Sequence, residues 1–299
     1  MEARMSSAPG RVTLLGEHVD HQGGTVLPVA INLRTQVRYT PQEAWEFHSA
    51  GHEPDGDWML YVHGVLEVLK DEGVELHPGK LEIESRVPEE KGLSSSAALE
   101  VAIAGAVCDL PALQVAEICR KAEADKVGIP CGFMDQATSA CAIAANVCAI
   151  DCSAHTFFLL PIPHAVLLLV DPDLPRRVGD TPYAERLEEV KQDGSLAHQH
   201  VMHEMARVEE GIAALDREDL RTFGALMTES HHSLRDYFRC SHPTLDSIVD
   251  EITRVPGIFG AKLVGAGWGG CVVALAEVGT QLEGTQLLVP DDGLYRIEA

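Results

Sequence analysis

Positive charge is scarce in this 299-residue chain: 23 lysines and arginines stand against 46 aspartates and glutamates, a formal net charge of −23. Nucleic acids and anionic membrane surfaces both need a basic footprint, so this balance argues against either as a partner. Long apolar runs are missing as well. No stretch approaches the ~20 consecutive apolar residues that a spanning helix needs. The opening MEARMSSAPGR lacks the apolar segment of a secretory signal. The eight cysteines form no Cys-x-x-Cys pair; scattered mostly through apolar runs, they read as reduced core residues of a cytoplasmic protein. There is no internal repeat and no low-complexity segment. What remains is an ordinary globular composition, 45% hydrophobic, in a length that suits two compact domains.

Local pattern predicts mixed secondary structure. RVTLLG (11–16) and TVLPVAINLRTQVRYT (25–40) are rich in β-branched residues and read as strands, and KLEIESRV (80–87) alternates as a strand does. Helical spacing runs over 58–70, 97–108, 111–126 and 135–145, followed by the strand NVCAIDC. AVLLLVDPDL (165–174) reads as a buried strand crossing into the second half, and helices follow over 182–214, 217–232 and 244–254. KLVGAGWGGCVVALAEV closes the pattern as strand, glycine loop, strand. Strands and helices mix without strict alternation, which predicts an α+β protein of two lobes divided near residues 160–170.

Four segments carry chemistry. In GLSSSAALEVA (92–102) a glycine leads through Ser94, Ser95 and Ser96 into an apolar helix. Unpaired N–H groups and the positive end of a helix dipole, with hydroxyls added, make a cradle for phosphate; a serine N-cap is the plain alternative. In APGRVTLLGEHVDHQGG (8–24) a strand runs into a glycine turn displaying Glu17, His18 and Asp20. These groups suit the hydroxyls of a small polar ligand, and a solvated turn with an Arg11–Glu17 ion pair is the alternative. In CGFMDQATSA (131–140) Asp135 starts a helix, where a carboxylate is also simply favoured by the dipole. GAGWGGC (265–271) lets backbone approach a ligand or another loop closely, or makes a tight hairpin.

Taken in order, blocks 8–31, 92–102 and 265–271 resemble the three signature blocks of the GHMP small-molecule kinases, and most closely those of the galactokinase branch. The resemblance continues through AEADKVGIPCGFMDQATSA, PYAERLEEV and ESHHSLRDYF. It implies an S5-like N-terminal domain over 1–165, a ferredoxin-like C-terminal domain over 166–299, and an active site in the cleft between them. It also implies transfer of a phosphoryl group from ATP, with Mg²⁺, to the anomeric hydroxyl of galactose, giving galactose 1-phosphate. Asp135 matches the catalytic base, and Arg11 the arginine that pairs with it and faces the transferred group. Glu17, His18, Asp20 and Tyr183 match sugar contacts. Gly92, Leu93, Ser94, Ser95, Ser96 and Ala97 match the phosphate loop, Ser96 and Glu123 the Mg²⁺ ligands, and Trp58 an aromatic beside adenine.

Departures from the family pattern sharpen the expectations. The usual Pro-x-Gly-x-Gly is here Pro88-Glu89-Glu90-Lys91-Gly92, so Glu90 brings negative charge toward the triphosphate, with Lys91 as its expected offset. His21 and Gln22 replace Tyr-Asn in a way that resembles galacturonokinases. Glu17 opposes a uronate, since like charges about 4 Å apart cost on the order of a few kcal/mol at an effective dielectric near 20. The alternatives are therefore a galacturonokinase or other monosaccharide 1-kinase, or a non-catalytic sugar-sensing regulator; the intact serine loop and Asp135 favour catalysis. HQHVMH (198–203) lacks i, i+4 histidines and resembles a surface helix, not a metal site. Both ends are short, and the helix expected after Val278 gives way to a segment supplying one last strand, which predicts a monomer or a weak homodimer.

Overall fold

The computed structural model describes residues 2–162 and 164–298. Two antiparallel strands, β1 (Arg4–Leu15) and β2 (Thr25–Pro41), form the spine of a first sheet. β2 is long enough to take two partners along one side: β4 (Gly79–Ser85) pairs its far half, and β5 (Asn146–Asp151) meets its start at Thr25 and Val26. β3 (Glu46–Ser49) lies parallel to β4, and β6 (Thr156–Pro161) forms a hairpin with β5. The second sheet has the order β10 (Thr285–Leu288), β7 (Ala165–Val170), β9 (Val272–Glu277), β8 (Ile258–Leu263), all antiparallel.

Of helices α1 (Trp58–Asp71), α2 (Ser95–Val107), α3 (Ala112–Lys121) and α4 (Met134–Cys141), α2 and α4 pack on the first sheet, and α1 and α3 pack against these helices. α2 is apolar nearly all round, with ten of its residues buried, as a helix surrounded by other elements must be. In the second half α5 (Tyr183–Val190), α6 (Leu196–Asp216), α7 (Leu220–Ser233) and α8 (Pro243–Ile252) precede β8. The architecture is α+β, as the sequence pattern predicts.

Several boundaries differ from the expectation. The single helix expected over 182–214 is two helices, because Gly194 turns left-handed (φ 78) and Ser195 caps α6 by accepting the His198 N–H at 3.0 Å. The expected helix over 111–126 widens after Lys121 into a π turn over Ala122–Val127. α4 stops at Cys141 rather than Ala145: Gly293 and Leu294 donate N–H groups to the carbonyls of Ala142 and Ala140, satisfying the helix end with the tail of the chain. The C-terminal segment supplies two strands instead of one. β10 joins the second sheet, and β11 (Tyr295–Glu298) returns to pair with β1 in the first.

Candidate active site

The turn after β1 is held from outside by one helix face. On α6, His200 and Glu204 stand one turn apart, both fully buried. His200 Nε2 lies 3.1 Å from the Glu17 carbonyl, and Glu204 Oε1 accepts the Gly16 N–H at 2.8 Å. A carbonyl accepts only, so Nε2 carries the imidazole proton and Nδ1 accepts from the Ser233 hydroxyl at 2.8 Å. The segment expected as a surface helix thus contributes a buried clamp.

Held this way, Glu17 is 1% exposed, and its Oε1 accepts from Lys262 Nζ at 3.2 Å and from the Gly265 N–H at 2.8 Å. Burial raises its carboxyl above the ordinary value, while Lys262 and then Arg11 oppose the shift. The Lys262 ammonium offsets the Glu17 charge, so the repulsion expected toward a uronate is weaker than for a bare carboxylate. His18 stacks on Phe238 with ring centroids 3.9 Å apart, and burial keeps it neutral, far below its ordinary pKa. Asp20 packs against Gly132: a Cβ there would lie 2.0 Å from Asp20 Oδ2, so any larger residue in the loop leading to Asp135 would displace the Asp20 side chain. Tyr183, at the start of α5, reaches across to His21, Oη to Nε2, at 2.7 Å.

The serine loop meets this turn through Arg11 and Asp135. Arg11 is 4% exposed and grips Asp135 with two nitrogens, Nε to Oδ1 and Nη2 to Oδ2, each at 2.8 Å. Its Nη1 donates to the Gly92 carbonyl at 2.7 Å. Burial works against the Arg11 charge, but Asp135 and Glu17 outweigh it and raise its pKa. Ser94 sits at the N-cap of α2 in a left-handed conformation (φ 58), yet its hydroxyl makes no cap bond. It donates instead to Asp135 Oδ2 at 2.5 Å. The plain capping reading therefore fails for Ser94.

The two glycine-rich loops rest on each other. Gly92 has φ 82 and a Cβ there would lie 2.4 Å from the Val264 carbonyl oxygen; one on Gly265 would lie 2.8 Å from the Gly92 carbonyl oxygen. Only glycine at both places lets these backbones touch. Lys91 does not offset Glu90: it bonds Asp171 at 2.8 Å and Asp173 at 3.0 Å. Arg177 takes that role, donating from Nε to Glu90 Oε1 at 2.7 Å and standing 3.8 Å from Asp57. Glu90 is itself left-handed (φ 59), where the family's glycine would be at ease.

Beneath the loop, Ser96 lies half-buried beside Glu123. Glu123 is 6% exposed and accepts from Gln136 Nε2 at 2.5 Å. Burial, then the nearby Asp135 charge, raises its carboxyl above the ordinary value, with Ser96 and Gln136 opposing. No salt bridge reaches Glu123 among the described residues, so hard oxygens with uncompensated negative charge face the serine loop, which fits a divalent cation. Among the described residues no three His, Cys, Asp or Glu side chains gather into an all-protein metal cage; Mg²⁺ in kinase sites takes one or two protein oxygens and completes its shell with phosphates and water.

The structure therefore brings Arg11, Glu17, His18, Asp20, Ser94, Ser96, Glu123, Asp135 and Tyr183 into one region, with Gly92, Leu93, Ser95 and Ala97 in the loop itself. Trp58 stands apart, 6% exposed in the core, its Nε1–H bonded to the Glu53 carbonyl at 2.9 Å. Sequence reasoning did not find Arg176, which lines an adjoining cleft of about 530 Å³ with Glu90, Arg177, Asp180 and Trp268. Burial, then the Arg11 charge, lowers its pKa. It also did not find Lys262, His200, Glu204, Glu100 and Gln136, which lie far along the chain from the groups they touch.

Comparison with known proteins agrees with this geometry. The chain matches the family descriptions "GHMP kinases N terminal domain" over 60–142, "GHMP kinases C terminal" over 212–283 and "Galactokinase galactose-binding signature" over 2–41. Two sheets joined at a serine loop thus define a small-molecule kinase of the GHMP class. The chain is 35% identical to a galactokinase of Roseiflexus sp. (strain RS-1), over 90% of this chain and 82% of that protein, and 36% identical to one of Streptomyces coelicolor, over 91% and 84%. The chain belongs to the galactokinase family. In fold it is similar to a crystal structure of Lactococcus lactis galactokinase complexed with galactose (TM-score 0.90, 24% identity, 98% of this chain and 95% of that one). It is also similar to Methanococcus jannaschii mevalonate kinase (TM-score 0.71, 23% identity, 91% and 90%).

Proposed function

We propose that this protein phosphorylates the anomeric hydroxyl of galactose from MgATP, with Asp135 and Arg11 at the reacting centre. The observation that carries the reading is the two-pronged Arg11–Asp135 pair, set between the Ser94–Ser96 loop and the Glu17–Asp20 turn. With Arg11 on both carboxylate oxygens and Ser94 on Oδ2, Asp135 has Oδ1 left to accept a hydrogen bond from a substrate hydroxyl. That suits phosphoryl transfer, where alignment and charge stabilisation outweigh proton removal. Asp135 orients the sugar hydroxyl and takes its proton late, while Arg11 stabilises charge on the transferred group. Asp20, His18 and Tyr183 bind the sugar ring, joined by the Glu17 oxygen that Lys262 and Gly265 leave free. Loop N–H groups and the N-terminus of α2 hold the triphosphate; Trp58, buried and bonded to the Glu53 carbonyl, drops out of the nucleotide contacts. Ser96 and Glu123 would hold Mg²⁺, which supplies charge neutralisation on the phosphates. Domains over 1–165 and 166–299, with β11 crossing back to pair with β1, would set these groups along one cleft.

The test is ADP release from purified protein given Mg²⁺, ATP and a panel of aldoses and uronic acids. Galactose should give the highest kcat/KM and a 1-phosphate product. A clear preference for galacturonate would reassign the substrate, and a failure to release ADP with any sugar of the panel would leave a sensing or regulatory role as the better reading.

A further inference from the structure

Three helices meet beneath the serine loop at two carboxyl groups and one amide. Glu100 lies on α2 one turn beyond Ser96, Glu123 in the wide turn after α3, and Gln136 next to Asp135 on α4. The Gln136 amide has two protons; one goes to Glu100 Oε2 at 3.1 Å, the other to Glu123 Oε2 at 2.5 Å. Glu100 is 0% exposed, no cation pairs with it among the described residues, and its Oε1 has no partner. Its buried neighbours on α2 are alanine, valine, isoleucine and glycine, so an apolar side chain would suit the packing and avoid the cost of burying a polar group.

We infer that Glu100 is a positioning residue: through Gln136 it fixes the Glu123 carboxylate beside Ser96. This rests on the reading of Ser96 and Glu123 as the Mg²⁺ ligands. An amide tied by one proton can still rotate about its last side-chain bond, whereas ties in two directions lock its plane. With the plane locked, Glu123 is held near Asp135 despite their mutual repulsion. Gln136 also anchors the first turn of α4, which presents Asp135.

The experiment measures the dissociation constant of a non-hydrolysable ATP analogue by calorimetry, with and without Mg²⁺, in the wild type and four variants. Glu100→Met keeps the volume and removes the acceptor; Glu100→Gln keeps an oxygen acceptor; Gln136→Leu cuts the bridge; Glu123→Gln removes the ligand charge. The Mg²⁺-linked tightening should shrink about tenfold in Glu100→Met and Gln136→Leu, as loss of a group supporting a metal ligand usually does, and return in Glu100→Gln. Should Glu100→Met fail to fold, Gln136→Leu carries the same expectation. If Glu123→Gln loses the tightening while Glu100→Met and Gln136→Leu keep it, the inference is overturned and the Mg²⁺ assignment stands. If Glu123→Gln keeps it, the Mg²⁺ assignment itself falls and the inference falls with it.

Discussion

Glu17 and Lys262, 245 positions apart, form an ion pair of 3.2 Å with both side chains out of water, at 2% and 0% exposure. One closes the turn after β1 in the first sheet and the other lies on β8 in the second, so the pair fastens the two sheets at the site. Lys262 Nζ also donates to the Thr13 carbonyl at 3.2 Å.

Breaking one side of a buried pair is costly because the remaining charge is stranded. Lys262→Met should therefore destabilise the protein by about 3–5 kcal/mol, seen as a lower denaturant midpoint. The double variant Glu17→Gln/Lys262→Met strands no charge and should be more stable than Lys262→Met alone. Equal stability of the single and double variants would show that the ammonium is not the partner that matters.

Asp135→Asn keeps the shape of the side chain and removes the charge that Arg11 grips. Turnover should fall by about 10²–10⁴, the range for loss of a positioned acid–base group, while the galactose dissociation constant changes only a few-fold. Arg11→Lys retains one positive charge but cannot bond both carboxylate oxygens from one plane, so kcat should fall with KM for galactose nearly unchanged. Steady-state kinetics beside sugar titration separates these effects; near-normal turnover in Asp135→Asn would remove it from the reacting centre.

The regions where the chain's own pattern decides its structure were readable. β2 and α2 are long and strongly patterned, and the serine, Glu17–Asp20 and Asp135 segments each announce themselves within a dozen residues. Short exposed strands were not readable: β3 has four residues, too few to show a period, and β6 places both Phe157 and Phe158 outward, so it does not alternate. The break before α6 did have a local signal, since Gly194-Ser195 is a stop followed by a cap. Lys262, His200 and Glu100 had none. Each is a polar residue within an apolar-patterned element, and its purpose appears only when a partner far along the chain folds against it.

Stability should fall as acid is added, and His200 is one cause. Burial brings its pKa down to about 4, against an ordinary 6.5, with Glu204, Arg207 and Lys262 the charges facing it. Between those values the unfolded chain binds a proton that the folded one refuses, so unfolding is favoured as pH drops through the window. One such group contributes a slope of up to about 1.4 kcal/mol per pH unit, about 3 kcal/mol in all. His231, held down at about 3 chiefly by burial, acts in the same direction. Urea denaturation at pH 7, 6 and 5 should show the decline, and His200→Gln, whose amide can still reach the Glu17 carbonyl, should show a shallower one. An unchanged slope would count against this account.

Glu90 offers a test of how the altered loop meets the nucleotide. Its left-handed backbone (φ 59) costs about 1–2 kcal/mol for a side-chain-bearing residue. Glycine removes that strain but gives back about 0.5–1 kcal/mol in unfolded-chain freedom, so Glu90→Gly should change the melting temperature little. The larger effect is electrostatic. Arg177 donates to Glu90 at 2.7 Å, two residues before the Gly92 loop, and without Glu90 it is free to face a triphosphate. Glu90→Gly should lower KM for ATP about two- to fivefold, as suits an exposed charge, and Arg177→Ala should raise it. Both effects should fade at 0.5 M salt (a value chosen for the assay), because screening at about 1 M shortens the Debye length to about 3 Å. A KM for ATP that does not respond to either substitution at low salt would place the triphosphate away from this pair, toward the N-terminus of α2 alone.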